Sequence, residues 1–169
     1  MKQELPPVRA AQPEDYPQIM QLCKELHEEN GAADVDWQKV QQIIIDGINR
    51  DGAMIGLIGA VGSIEAIIYL NFSAMWYSEE VFLQELFAYV RPDFRRTKNA
   101  KALLRFAKAA AKRLKCRLLI GVISNTRTAA KLRLYERELG NPVGGYFFLK
   151  GDDDAGQQNT RRVGEPAAI

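Results

Sequence analysis

Two apolar runs, residues 54–61 and 64–72, lie on either side of Gly62 and Ser63, the pair expected in a two-residue type II′ turn, and they predict an antiparallel hairpin. A polar, aromatic connection with Trp76, Tyr77, Ser78, Glu79 and Glu80 leads to a third strand over 82–90, which Pro92 ends. Upstream, 8–11 reads as a short strand. Pro13, Glu14 and Asp15 then open a helix over 13–29, with Tyr16, Ile19, Met20, Cys23 and Leu26 at helical spacing and Asn30 and Gly31 as its stop. Asp36 opens a second helix, in which Trp37, Val40, Ile44 and Ile48 share a face.

Downstream of Ala100, the residues Leu103, Leu104, Ala107, Ala110, Ala111 and Leu114 repeat at helical intervals, while Lys101, Arg105, Lys108 and Lys112 fall on the opposite side. The continuous apolar run 118–123 predicts a strand buried on both faces. Ser124 and Asn125 form a polar loop before a helix over 128–139, ended by Gly140 and Pro142, and 146–150 is a last strand. This order predicts an α/β fold, a mixed central sheet flanked by helices on both faces. One domain over 1–150 is expected, with 151–169, poor in core formers, as a flexible tail.

A chain of 169 residues, 47% of them apolar, can bury a core without metals or disulfides, and a formal charge of +2 does not by itself imply a nucleic-acid partner. No apolar run follows Lys2 and Glu4, and no stretch has the length of a membrane span, so a cytoplasmic location and no membrane partner are expected. Cys23 and Cys116 are far apart and sit in apolar-periodic segments, which favours buried free thiols. With His27 as the single histidine, no metal site is expected and most nucleophile–histidine triads are strained.

The most informative stretch is VRPDFRRTKNAKALL, residues 90–104, which joins a strand end, a proline, a basic loop and a helix start. The first amides of a helix lack intrahelical acceptors and carry partial positive charge, so such a junction can bind phosphate. Arg95, Arg96, Lys98 and Lys101 would add full charges. A solvated basic loop ahead of an ordinary amphipathic helix is the competing reading.

The stretch resembles motif A of the GNAT acetyltransferase superfamily, in which a strand ending V-x-P precedes Q/R-x-x-G-x-G/A and a helix. Val90 and Pro92 match the strand end, Arg95 the first loop position and Ala100 the last, and Leu103 and Leu104 match the helix. The opening VRAAQPEDYPQIMQL and the order of elements are also similar to the family's. Lys98 stands where the family has its first glycine; it can offer its amide there if its φ is negative.

The resemblance implies an N-acetyltransferase that uses acetyl-CoA as donor and a small-molecule or protein amine as acceptor, attacked directly in a ternary complex. It implies that Arg95, Arg96, Thr97, Lys98, Asn99, Ala100, Lys101 and Asn125 hold the cofactor. It also implies that the backbone amide of Tyr89 or Val90 faces the thioester carbonyl, with pantetheine between that strand and 118–123. The family's N-x-x-A-x-x-L-Y pattern is approached by Asn125, Ala129, Leu134 and Tyr135, with extra residues between, and makes Tyr135 the candidate acid for the departing thiolate. Leu132, Tyr135 and Leu139 share a helical stripe, so a core role for the ring stays open.

Glu85 is the candidate base, because a carboxylate inside an apolar strand is destabilising unless compensated, and burial raises its pKa. By alternation it shares a face with Leu83, Phe87 and Tyr89, unless a bulge intervenes; a structural acid bonded to a nearby donor is the alternative. His27, Glu28 and Glu29 would border the acceptor in this family, and the resemblance makes a homodimer a reasonable expectation. Two other readings compete with an enzyme: a non-catalytic acyl-CoA-binding or regulatory protein of the same fold, and a nucleic-acid-binding domain using the Lys101, Arg105, Lys108 and Lys112 face. The latter is disfavoured, since such an array more often keeps a helix soluble.

Overall fold

The computed structural model describes residues 4–124 and 127–146. The expected strand over 146–150 lies outside these residues except for Tyr146, which is not in a strand, and the expected tail lies wholly outside them. Among the described residues five strands form one sheet in sequence order: β1 (Arg9–Ala10), β2 (Ala53–Ala60), β3 (Ser63–Ala74), β4 (Val81–Val90) and β5 (Arg117–Leu119). The first three pairings are antiparallel and β4–β5 is parallel, so the sheet is mixed.

Helices α1 (Tyr16–Asn30) and α2 (Trp37–Asn49) cover one face. Ile19, Leu22 and Cys23 of α1 and Ile44 of α2 pack there on Ile55, Leu57, Ile67 and Tyr69. Helix α3 (Asn99–Leu114) covers the other, setting Leu103, Ala107 and Ala110 against Ile58, Ile68, Leu70 and Leu83. Helix α4 (Thr128–Leu139) lies beside α3, so the expected three-layer arrangement is present. The corner between β1 and α1 is fixed by the fully buried Asp15, which takes two hydrogen bonds from Arg9, at 2.7 and 2.8 Å, and one from the Gln12 amide. Asp36 caps α2 by accepting from the amides of Gln38 and Lys39.

Three details differ from the sequence expectation. The hairpin turns on Val61 and Gly62, since Ala60 pairs with Ser63; Gly62 carries φ +89° at the second turn position, the sign pattern of a type II turn. Helix α1 is preceded by a separate 3-10 turn over Pro13–Asp15. The apolar run 118–123 pairs with β4 only at Leu118 and Leu119, and Ile123 is 72% exposed, so it is neither one long strand nor buried on both faces.

The cause of the short β5 lies in β4. Tyr69 opposes Phe87 while Leu70 opposes Glu85, leaving Leu86 as an extra residue, and parallel pairing with β5 stops at Gln84, just before it. A bulge bends its strand and increases the local twist, which carries the rest of β4 away from its neighbour. A second register shift makes Glu65 the extra residue on β3, opposite Gly59.

Gly59 has φ +106°, and a Cβ there would lie 2.2 Å from the Ser63 carbonyl oxygen. Gly59→Ala is therefore expected to destabilise the protein by about 2 kcal/mol or more, from backbone strain and the clash together. Urea denaturation of the two proteins measures this directly.

Candidate active site

The loop between β4 and α3 is braced from beneath. Arg91 donates to both carboxylate oxygens of Glu25 at 3.1 Å and to the Ile64 carbonyl at 3.0 Å. Arg95 pairs with Glu29, donates to the Val90 carbonyl at 2.9 Å and lies over the Tyr89 ring. Glu25 and Glu29 are one helical turn apart on α1, matching the spacing of the two arginines. Asn99, 2% exposed, donates to Glu65 at 2.8 Å, so the β3 bulge holds the first residue of α3. The Thr97 hydroxyl donates to the Phe94 carbonyl and accepts from the Asn99 amide.

Several loop side chains are engaged within the fold. The Arg95 guanidinium, expected to add charge for phosphates, is directed to α1 because Glu29 competes for it at close range. The Asn99 side chain and the Thr97 hydroxyl are likewise engaged within the fold. Lys101 pairs with Glu138 of α4 at 2.9 Å, and Arg105 and Lys108 also bond that residue. The basic face of α3 is thus partly used to dock α4.

Around the helix start, Lys98 has φ −91°, the negative value at which a side chain costs nothing and its amide can be presented. The Ala100 and Lys101 amides belong to the first turn, which has no intrahelical acceptors. A cleft of about 760 Å³ opens here, lined by Arg96, Lys98 and their neighbours on one side and by residues 4–7 on the other.

Beside β4, the geometry distinguishes Tyr89 from Val90. Arg91 donates its backbone N–H to Glu65 on β3, and the Val90 carbonyl, in the same peptide plane, points the opposite way. In an extended antiparallel strand a residue's N–H and C=O lie on one side. The Val90 amide is therefore directed away from β3, into the gap where β5 no longer pairs, and the Tyr89 amide toward β3.

The bulge also decides which face Glu85 occupies. Glu85 opposes Leu70 and, with Leu83, belongs to the α3 side, whereas Phe87 and Tyr89 belong to the α1 side. The expectation that all four share a face is corrected by the extra residue Leu86. On the α3 side Glu85 meets α4: burial pushes its carboxyl up to about 8, opposed by the Lys131 ammonium. Its Oε2 is buried with no hydrogen-bond partner among the described residues. Burial, and secondarily the Glu85 charge, raises the Tyr135 phenol well above its ordinary value.

Leu132 and Leu139, expected to share a stripe with Tyr135, are 40% and 38% exposed, so that stripe is not a core seam. Asn125 lies outside the described residues. His27 bonds the Ala33 carbonyl at 3.0 Å and meets Trp37 edge-on, closing the α1–α2 connection, while Glu80 pairs with Arg117. The brace by Glu25 and Glu29 was missed from sequence, although two carboxylates and two arginines at matching four-residue spacings were a signal for it. Lys131 was also missed. Its Nζ donates to Ser124 Oγ at 2.6 Å, and it lies within electrostatic reach of Glu29 and Glu85.

No helix among the described residues is long and apolar enough to cross a membrane. Solved structures share the architecture. A Clostridium acetobutylicum protein described as a predicted acetyltransferase, solved with acetyl-CoA, is 13% identical with a TM-score of 0.67, over 85% of this chain and 95% of that one. AAC(6')-Iy, in complex with the bisubstrate analogue CoA-S-monomethyl-acetylneamine, is 14% identical with a TM-score of 0.65, over 88% and 99%. A ribosomal-protein-alanine N-acetyltransferase from Brucella melitensis biovar Abortus 2308 is 13% identical with a TM-score of 0.65, over 88% and 99%. At these identities the likeness concerns the fold alone, and no curated protein sequence matches the chain. The sequence itself matches the family model described as "Acetyltransferase (GNAT) family" over residues 8–140, a span that takes in the β4–α3 loop, the β4 bulge and α4. The chain belongs to the GNAT acetyltransferase family and is an acyltransferase.

Proposed function

We propose that the protein transfers an acetyl group from acetyl-CoA to a primary amine by direct attack in a ternary complex. The observation that carries this reading is the gap beside β4, into which the Val90 amide points, with Glu85 and Tyr135 both partly buried and electrostatically coupled beside it. The residues present fit the donor: a chain of amide groups could pair with the free side of β4, and the first turn of α3 with Arg96 and Lys98 suits a diphosphate. Acetyl-CoA supplies an activated acyl group and a thiol leaving group.

The roles of the chain's own residues follow from their surroundings. The Val90 N–H donates to the carbonyl oxygen as negative charge develops on it. Glu85, with a carboxyl titrating near 8, accepts a proton from the incoming ammonium or its attacking amine. Tyr135, held protonated across the neutral range, donates to the departing sulfur. Holding both reactants together beside β4 supplies much of the remaining rate. The acceptor is an amine, either small or at a protein terminus or side chain. The loop with Trp76, 95% exposed, and Tyr77 is available to contact it. We further assign residues 1–150 to one acetyltransferase domain.

Two measurements test this reading. Acetyl-CoA is expected to raise the melting temperature, and a screen of thiol release over diverse amines should find turnover. On the amine so found, Tyr135→Phe should lower kcat by about a hundredfold. The wild-type kcat/KM should rise with pH through about 8, a rise that Glu85→Gln abolishes. Binding without turnover on any amine would leave a regulatory acyl-CoA-binding protein, and absence of binding would overturn the donor.

Glu85 also makes a prediction for stability. Between pH 4.5 and about 8 the folded chain keeps a proton that the unfolded chain has released, so its contribution, full below pH 4.5, is lost as pH rises through 8. Above pH 8, Glu85→Gln should be more stable than the parent by roughly 2 kcal/mol, below the full shift because the residue is only partly buried. Below pH 4.5 the two should unfold alike, as read by thermal denaturation across pH.

A further inference from the structure

Lys131 is a primary amine that the proposed reaction leaves unused. It stands one turn before Tyr135 on α4, partly buried, and donates to Ser124, in the segment that follows β5. It also faces Glu85 on β4 and Glu29 on α1. Its Nζ therefore sits between the chain beyond β5, through Ser124, and β4, through Glu85. Burial disfavours the ammonium and lowers its pKa; Arg95 and Arg127 act in the same direction, Glu29 and Glu85 against it. A larger share of neutral, nucleophilic amine results than on an exposed lysine.

We propose that Lys131 is an acetyl acceptor within the enzyme itself, modified in cis from the donor thioester when no external amine fills the site. The inference rests on the reading of the gap as the thioester site. A C–N bond forms between the acetyl carbon and Nζ as the C–S bond breaks. Glu85 takes the proton lost by nitrogen, and Tyr135 gives one to sulfur. The products are an Nε-acetyl-lysine and free coenzyme thiol, with no further reactant. Modification removes the cation that faces Glu85 and adds bulk between Glu85 and Ser124, so each chain undergoes it once and then turns over external amines more slowly.

The test incubates the full chain with acetyl-CoA and follows acetylation of individual lysines by peptide mass spectrometry, at several donor and protein concentrations. Lys131 should be acetylated at least about tenfold faster than the exposed Lys39 and Lys112, as expected for an amine held near the acyl carbon. Its rate should saturate with donor and be independent of protein concentration. Lys131→Arg, with its fold checked by circular dichroism, should lose this fast phase. If acetyl-CoA binds and external amines are acetylated, while Lys131 reacts no faster than Lys39 and linearly with donor, the inference is overturned and the enzymatic reading stands. If acetyl-CoA neither stabilises the protein nor acetylates any amine, both fail.

Discussion

The β4 bulge at Leu86 is the constraint from which the site follows. Without it, β4 and β5 could continue to pair, and the backbone groups on the outer side of β4 would be satisfied inside the sheet. With it, pairing ends after three residue pairs and the polar edge from Glu85 to Val90 faces a gap. Buried backbone groups are rarely left without partners, so an edge of this kind favours occupation by something that can hydrogen-bond along it. The same extra residue turns Glu85 toward α4 while keeping Phe87 and Tyr89 in the opposite core. A single inserted residue thus creates both an edge that β5 does not pair and the surroundings of the candidate base.

Charge is distributed around the gap with a clear division of labour. Arg91 and Arg95 are paired to α1, and Lys101 and Arg105 to Glu138, so these cations hold elements together. Such partly exposed pairs contribute modestly each, and their worth is geometric: two at one-turn spacing fix both the distance and the rotation of the loop against α1. Lys131 and Glu85 differ, because burial weakens the charged form of both. Groups with pKa values moved toward neutrality are the ones suited to proton transfer at ordinary pH.

Much of the fold was legible because local signals agreed with tertiary structure. Helix α4 spans Thr128–Leu139 as its periodicity and Gly140 imply, and Asp36 caps α2 where a helix start was read. What was not legible depended on partners distant in the chain. Whether 118–123 forms a strand is decided by the path of β4, and the Leu86 bulge by register against β3. The commitments of Arg95 and Asn99 depend on Glu29 and Glu65, 66 and 34 positions away. Residue types and spacing located the loop; they did not distinguish a cation that binds a ligand from one that binds the protein.

The two arginine–glutamate braces join α1 to the loop between β4 and α3. Loss of either member leaves its partner charged and partly buried, at a cost that restoring or removing both together avoids. A change at 25 or 29 alone would therefore disturb the loop more than one matched by a compensating change at 91 or 95.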